Sequence, residues 1–483
     1  MKKIGIIGMG VSGLGIFLAL SKCDPKQLTN LDITCFDDTE HFGRGIPFQD
    51  DDASTLINSP IDDISFDYQH MGDFKEWLEE NGYETDSAYV SRALYGQYMI
   101  ERMDDLLKQL AVTVVKHHVE DLHYLANTSQ WQVKVNGDPY EVQFDKIHLA
   151  CGQLPEIDPY QLEGQAHYVA DPYPITQFEG DDWNQETVAI IGTGLAAVDV
   201  IKWFSSNTSA KLVAFSRSNY FPTIRILDGS PIDWQYLSQD NLEKLLAYPH
   251  QTVPFKAFET LFKQELTALG LENWETLTDH LIIPGIEGLS LALDYPQHFF
   301  KLQHLASRVA DWFTDLWPRL TQSDRQYYTD TYGKFIVNLR NPMPAISAQP
   351  ILEVATQKRL SLISNVTDIT ANAKGFDITT QDGVSLQVSR VINATGYQLT
   401  LQNITKASPL LQSLLDQRFL QIDDQGGISV LAETAQVISP RYGTMPNLYA
   451  HGALINGTIY QNNSTIKIQK IAERAIQHMQ SNL

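Results

Sequence analysis

The 483-residue sequence predicts an α/β fold of two Rossmann-like units, with a helical insertion in the second. Three observations predict it. A strand, glycine turn and helix pattern occurs twice; each copy is followed by the same series of short strands closing in a small-residue signature; and the second copy is longer by about 60 residues of helical, tryptophan-bearing chain.

The first copy opens with Lys3-Ile-Gly-Ile-Ile-Gly8, an apolar run that reads as a buried strand. It passes through Gly8-Met-Gly10-Val-Ser12-Gly13 into the apolar helix pattern Leu14 to Leu20. In such a turn the first glycine permits the tight bend, the second lets backbone approach a pyrophosphate, and the third lets helix pack on strand. The helix N-terminus then offers free N–H groups and the positive end of its dipole to phosphates. A second strand, Ile33-Thr-Cys-Phe36, ends at Asp37, close to the offset of about 20 residues at which a carboxylate binds a ribose hydroxyl. Asp38 follows it directly.

The second copy is Thr187-Val-Ala-Ile-Ile-Gly192-Thr-Gly194-Leu-Ala-Ala197, running into a helix through Ile201, with Ala197 at the third small position. Its second strand, Lys211-Leu-Val-Ala-Phe215, ends at Ser216-Arg217-Ser218. Where the first copy offers a carboxylate, this one offers a guanidinium. A carboxylate repels a 2′-phosphate and a guanidinium pairs with it, so the first site suits a plain ribose and the second favours NADPH over NADH. The plain alternative is a solvated arginine at a strand end.

Both copies close alike. In the first, strands at 112–115, 131–135 and 140–144 lead to Lys146-Ile-His-Leu-Ala150-Cys-Gly152; in the second, strands at 360–363, 376–379 and 385–388 lead to Arg390-Val-Ile-Asn-Ala394-Thr-Gly396. The glycine-to-glycine spans are 8–152 and 192–396, and the excess of the second falls at about 225–345. Helix-like stretches there are 239–248, 255–269 and 299–320, and Trp234, Trp274, Trp312 and Trp317 predict a packed insertion.

Composition narrows the function. Hydrophobic residues are 43%, charged 19% and aromatic 10%, a globular balance. Lys+Arg is 35 against Asp+Glu 58, a net charge of −23, and such a surface repels nucleic-acid backbones and anionic lipid. No nucleic-acid or membrane partner is expected, whereas a dinucleotide held by local backbone N–H groups is compatible. Cys23, Cys35 and Cys151 are too few for a disulfide framework or metal cluster, and no Cys-x-x-Cys occurs. Lys2 and Lys3 before the apolar run Ile4 to Leu20 mimic a signal peptide, but the glycines are spaced as a turn and no cleavage site follows, so a cytoplasmic location is expected.

With both copies in view, the chain resembles flavoproteins in which an FAD domain is interrupted by an NAD(P)H domain. Within that group it is similar to an uncharacterised FAD-NAD(P)-binding family related to flavin-containing and N-hydroxylating monooxygenases. The segments that carry the likeness are Phe42-Gly43-Arg44-Gly45-Ile-Pro-Phe48, Leu56-Ile-Asn58-Ser-Pro60, Ser91-Arg92-Ala-Leu-Tyr-Gly96-Gln-Tyr98, Ala150-Cys-Gly152, Ala394-Thr-Gly396-Tyr397 and Asn447-Leu-Tyr-Ala-His-Gly452-Ala453-Leu-Ile-Asn-Gly457, the last before a helix pattern from Ile466 to Met479. The resemblance implies an FAD domain over 1–165, an NAD(P)H domain over 166–396, and a return to the FAD domain over 397–483. It also implies an FAD-dependent oxidoreductase taking hydride from NADPH and passing electrons to oxygen or another acceptor, with a small-molecule substrate. The alternative is an FAD-binding redox-responsive or structural protein without turnover.

The candidate cofactor-binding residues are therefore Gly8, Gly10, Ser12, Gly13, Asp37, Asp38, Gly43, Arg44, Gly45, Asn58, Arg92, Val119, Gly152, Gly192, Gly194, Ala197, Arg217, Gly396, Gly452, Ala453 and Gly457. One departure stands out. Many relatives carry Gly-Asp in the returning segment, where the carboxylate meets the flavin's ribityl chain, and here Ala453 follows Gly452. A monooxygenase fingerprint is only faintly matched by Leu162-Glu-Gly164-Gln-Ala-His167, which reads equally as a linker.

His41, His167 and His451 lie near these segments and read first as structural histidines. Arg44 is placed either to reach a phosphate or flavin carbonyl or to face solvent. Arg225 either assists Arg217 or, the favoured reading, faces solvent. No side chain stands out as catalytic, and no metal-ligand spacing is present.

Overall fold

The computed structural model describes residues 1–152, 156–248, 252–397 and 408–482. The chain divides into two units, one comprising Met1–Ala53, Ser59–Pro155 and Gln398–Leu483, the other Ser54–Asn58 and Glu156–Tyr397.

In the first unit a six-stranded sheet runs in the spatial order Gln436–Ser439, Gly443–Ala450, Lys146–Leu149, Lys2–Ile7, Leu31–Phe36, Thr113–Val115. All neighbours are parallel except the first pair. Parallel strands are buried on both faces, which is why Ile4, Ile6, Ile33, Cys35, Ile147 and Leu149 form near-continuous apolar runs. The helix Val11–Ser21 follows the first strand and is buried along almost its whole length. It lies against the C-terminal helix Thr465–Ser481. Gly15 faces that helix, where a Cβ would make ordinary contact, 3.5 Å from the Gln469 Cα.

A three-stranded antiparallel sheet, Val119–Leu125, Gln130–Val135 and Asp138–Phe144, completes this unit. Its last two strands lie where the apolar alternation puts them. Val119–Leu125 carries Glu120, Asp121 and His123, which mask the alternation in the sequence.

The second unit repeats the plan. Leu360–Leu362, Lys211–Phe215, Thr187–Ile191, Arg390–Asn393 and Tyr168–Val169 form a parallel sheet in that order. Val366–Asn372, Gly375–Thr380 and Ser385–Val388 form the matching antiparallel sheet. The edge strand Tyr168–Val169 belongs to the segment carrying the faint fingerprint. Leu162 is buried in the core of this unit and His167 is exposed, with its carbonyl accepting the Val391 N–H, so the segment works as edge structure.

Between Phe215 and the helix Ala345–Thr356 the chain builds the helical insertion. The helices Gln239–Leu246, Phe255–Ala268 and Pro296–Leu316 lie on the expected stretches. Trp274–Leu281, Gly285–Asp294, Gln322–Tyr328 and Lys334–Arg340 were not anticipated, because pieces of 7 to 10 residues span too few turns to declare a period. Trp274, Trp312 and Trp317 are buried with Phe258, Phe313 and Tyr328, whose rings meet at 4.8 and 4.6 Å. Trp234 is only partly covered, by the Arg308 guanidinium. The Glu265 carboxylate, fully buried, accepts the N–H groups of Gln235, Tyr236 and Leu237 and holds the loop that leads into the helices. Among the described residues no helix is long and apolar enough to cross a membrane.

Candidate functional site

Each unit forms the same turn at the point where its sheet order reverses, the place where open parallel sheets bind ligands. Gly8 N–H donates to the Phe36 carbonyl at 2.9 Å, and Gly192 N–H to the Phe215 carbonyl at 2.7 Å. Ala150 N–H closes on the Ile7 carbonyl at 2.7 Å, and Ala394 N–H on the Ile191 carbonyl at 2.9 Å. Both leading glycines take positive φ, +101° and +129°. A Cβ would lie 2.6 Å from the Ala150 carbonyl group in the first and 2.5 Å from the Ala394 oxygen in the second. Only glycine fits either position.

In the first unit the predicted residues converge. A Cβ on Gly13 would strike the Gly8 oxygen at 2.5 Å. Gly10 faces Gly45, with a Cβ on Gly10 only 3.3 Å from the Gly45 Cα, and Gly43 N–H donates to the Met9 carbonyl at 2.6 Å. Gly10 caps the helix Val11–Ser21 with no side chain, so the first-turn amides stay available to an anion. Asp37 Oδ2 accepts the Met9 N–H at 2.6 Å and Oδ1 the Thr39 N–H at 2.8 Å. Its carboxylate therefore braces the turn and still has lone pairs for a ribose hydroxyl. Gly452 at φ +66° lies directly on Ser12, and Ala453 lies beside Gly152, a Cβ on the latter being 3.5 Å from the Ala453 Cβ.

The remaining candidates of this stretch have partners of their own. Arg44 pairs with Asp50 at 3.0 Å, and Asp38 is exposed, 3.7 Å from His118 Nδ1. Arg92 begins the helix Arg92–Leu110, capped by the Ser91 hydroxyl. Val119 is buried and opposes Val135. Gly457, at φ +130°, packs against Gly427 and Asp423. Asn58 belongs to the second unit, where its carbonyl accepts Arg225 Nε at 3.1 Å, while Lys202 Nζ holds the Ser54 carbonyl at 2.6 Å. Two cations thus fasten 54–58 into the unit they belong to, and Arg225 is part-buried rather than solvent-facing.

The second unit gathers Gly192, Gly194, Ala197, Gly396 and Arg217 around its turn. Gly194 caps the helix Leu195–Asn207 without a side-chain hydrogen bond, Ala197 is fully buried, and a Cβ on Gly194 would meet nothing within 4 Å. Thr193 Oγ1 bonds the Ser216 hydroxyl at 2.9 Å and donates to the Tyr220 carbonyl at 2.9 Å. This ties the glycine turn to the loop that carries Arg217, which is exposed. Glu156 bridges Tyr397 beside Gly396, and burial next to Asp171 raises its carboxyl to about 8. The shift favours the neutral carboxyl at this strand end.

Two features were not visible in the sequence. His148 Nδ1 and His451 Nε2 lie 2.9 Å apart, both rings fully buried, with His148 stacked on Tyr449 at 4.6 Å. Burial drives His148 well below its ordinary range, with His451 and Lys146 adding repulsion, and burial lowers His451 to about 3. The pair is neutral at pH 7, and the His451 backbone N–H donates to the Leu149 carbonyl, holding the segment that carries Gly452. The only sequence signal was a polar residue inside the apolar strand 146–149. The second feature is Asn462, fully buried, whose Nδ2 donates to the Gly452 carbonyl at 2.8 Å. Its Oδ1 has no hydrogen-bond partner among the described residues. A bare glycine turn, open helix amides and an orphaned acceptor beside them fit a bound dinucleotide.

Comparison with known proteins agrees with this geometry. Residues 5–154 match a family model described as FAD-NAD(P)-binding. A curated protein of Escherichia coli K12, the uncharacterized protein YdhS, is 27% identical over 218 residues, 41% of this chain and 38% of its own length. The match thus spans well under half of that relative. Among solved structures, L-lysine 6-monooxygenase from Pseudomonas syringae superposes with a TM-score of 0.60 at 15% identity, covering 100% of this chain and 99% of its own. DfoA from Erwinia amylovora, a cadaverine monooxygenase solved with FAD, gives 0.60 at 13%, covering 99% and 94%. The ornithine N-hydroxylase KtzI of Kutzneria sp. 744, solved with reduced FAD, NADP+ and L-ornithine, gives 0.56 at 13%, covering 99% of each chain. These likenesses establish the fold.

Proposed function

We propose that this chain is an FAD-dependent oxidoreductase that draws reducing equivalents from NADPH and delivers them to oxygen or another acceptor, acting on a small molecule. The observation that carries the reading is the duplicated turn, one copy ending in the Asp37 carboxylate and the other in the Arg217 guanidinium. The first-turn amides after Gly10 and Gly194 receive the two pyrophosphates, and the bare glycines let those groups approach the backbone. Asp37 accepts a ribose hydroxyl in the first unit, and Arg217 pairs with a 2′-phosphate in the second. When bound, FAD supplies two-electron chemistry that no side chain in these turns provides. The His148–His451 pair and Asn462 keep the returning segment seated on the first turn without adding charge.

The test is direct. Purified protein reconstituted with FAD should be yellow, and NADPH added without oxygen should bleach the flavin band within a turnover time. Flavin that stays yellow at saturating NADPH refutes the proposal. The named activities of the structural neighbours make small primary amines the first substrates to assay for oxygen-dependent NADPH consumption. Arg217→Ala is expected to weaken NADPH about ten- to a hundredfold through the lost charge-assisted contact, with little change for NADH; equal losses would show that Arg217 does not read the 2′-phosphate. The three free cysteines fit a reducing compartment, which we read as the cytoplasm. A second reading, an FAD-binding protein without turnover, is favoured by one observation, the missing carboxylate at Ala453, and the same anaerobic experiment decides between them.

A further inference from the structure

We infer that Asn462 is a flavin-binding residue whose Oδ1 accepts a hydrogen bond from a ribityl hydroxyl of FAD, taking the place of the carboxylate absent at Ala453; this rests on the FAD reading above. Asn462 is fully buried, and its amide orientation is set by its surroundings: Nδ2 donates to the Gly452 carbonyl at 2.8 Å, and a flipped amide would set oxygen against oxygen. Its backbone N–H is held by Asn456 Oδ1 at 3.2 Å, so the side chain is anchored at both ends. Oδ1 is left without a donor among the described residues. A buried acceptor left unpaired is costly, and such atoms in native proteins are met by water or by ligand.

Position selects the ligand group. Gly452, on whose carbonyl the Asn462 amide rests, lies against Ser12 in the first turn of the phosphate-binding helix. A pyrophosphate on those amides has adenosine on one side and the ribityl chain on the other. The adenosine ribose belongs to Asp37, at the end of the adjacent strand. The opposite direction leads to Gly452 and Asn462, and the groups arriving there are the ribityl hydroxyls, which are donors. Ala453 cannot accept them, whereas Asn462 Oδ1 is a buried acceptor with no partner among the described residues.

The experiment measures FAD affinity of the full chain by flavin fluorescence, with melting of the apo-protein as the folding control. Asn462→Ala should bind FAD about tenfold more weakly, the loss of one hydrogen bond, while the apo-protein still unfolds cooperatively, at a lower temperature because the Gly452 carbonyl loses its donor. FAD analogues lacking individual ribityl hydroxyls should show one position at which wild type and Asn462→Ala bind alike. Introducing Ala453→Asp into Asn462→Ala should recover affinity. Unchanged FAD binding by Asn462→Ala overturns the inference, as does an equal loss for every analogue, which would confine Asn462 to holding the Gly452 carbonyl. Should Asn462→Ala fail to fold, wild-type protein that binds every deoxyribityl analogue as tightly as FAD overturns it as well. Wild-type protein that binds no FAD at all refutes the FAD reading itself, whereas tight wild-type binding with an indifferent Asn462 removes only this inference.

Discussion

Gly8→Ala is expected to destabilise the first unit by about 3 kcal/mol or more and to leave the purified protein without flavin. Two costs add. Alanine at φ +101° sits in a region that L side chains rarely adopt, and its Cβ would fall 2.6 Å from the carbonyl carbon and oxygen of Ala150. Both obstacles are backbone, just past the end of the strand Lys146–Leu149, so no rotamer change relieves them. Gly194→Ala supplies the contrast within the same molecule. Its φ is −79° and a new Cβ would meet nothing within 4 Å, so stability should hold while NADPH binding falls, because the methyl would stand where the pyrophosphate approaches. Chemical denaturation with and without FAD or NADPH separates the two outcomes. A Gly8→Ala protein as stable as wild type would contradict the close packing at this switch point.

Acid should undo the first unit well before most carboxylates titrate. His148 and His451 stay neutral in the fold, and in the unfolded chain each protonates near its ordinary value of 6.5. Below that value the unfolded state binds more protons, so stability is fully present above pH 6.5 and falls as pH drops, down to the folded value of about 3 for His451. An imidazole that stays neutral in the fold removes about 1.4 kcal/mol per pH unit below pH 6.5, a slope that His451 keeps until its folded value of about 3 and to which His148 adds in the same direction. The other titratable groups facing the pair are Tyr449, Lys146 and, through Tyr449, His478, and none is an acid that would hold a proton on the pair. His148→Phe keeps a ring stacked on Tyr449 and should roughly halve the pH slope. Stability that is flat from pH 6.5 to about 4.5 in the wild type would show that the imidazoles are not held neutral.

Much of this was legible in the sequence because it is local. The turns at Gly8-Met-Gly10-Val-Ser12-Gly13 and Gly192-Thr-Gly194 announce strand, bend and helix within a dozen residues, and the contrast between Asp37 and Arg217 needs only the end of the next strand. The tryptophan-bearing insertion was readable as helical, though its shorter helices were not. What escaped depends on distant partners. Asn58 reads as part of the first half of the chain, yet its carbonyl is held by Arg225 and its segment sits in the second unit. His148 reads as one polar residue in a strand and becomes half of a neutral pair only when residue 451 arrives beside it. Asn462 drew no reading from the sequence, and its orphaned oxygen emerges only once Gly452 has occupied its nitrogen.

The sequence by itself therefore determined the two glycine turns and the charge each presents, because glycine stereochemistry and strand–helix patterning act over a few residues. Only the tertiary structure decided how the returning segment meets the first turn and which side chains there are buried with a hydrogen bond still to make. Burial and hydrogen-bond satisfaction are set by partners that only the folded chain brings together, from 10 positions apart for Asn462 and Gly452 to 303 for His148 and His451, and no local pattern encodes them.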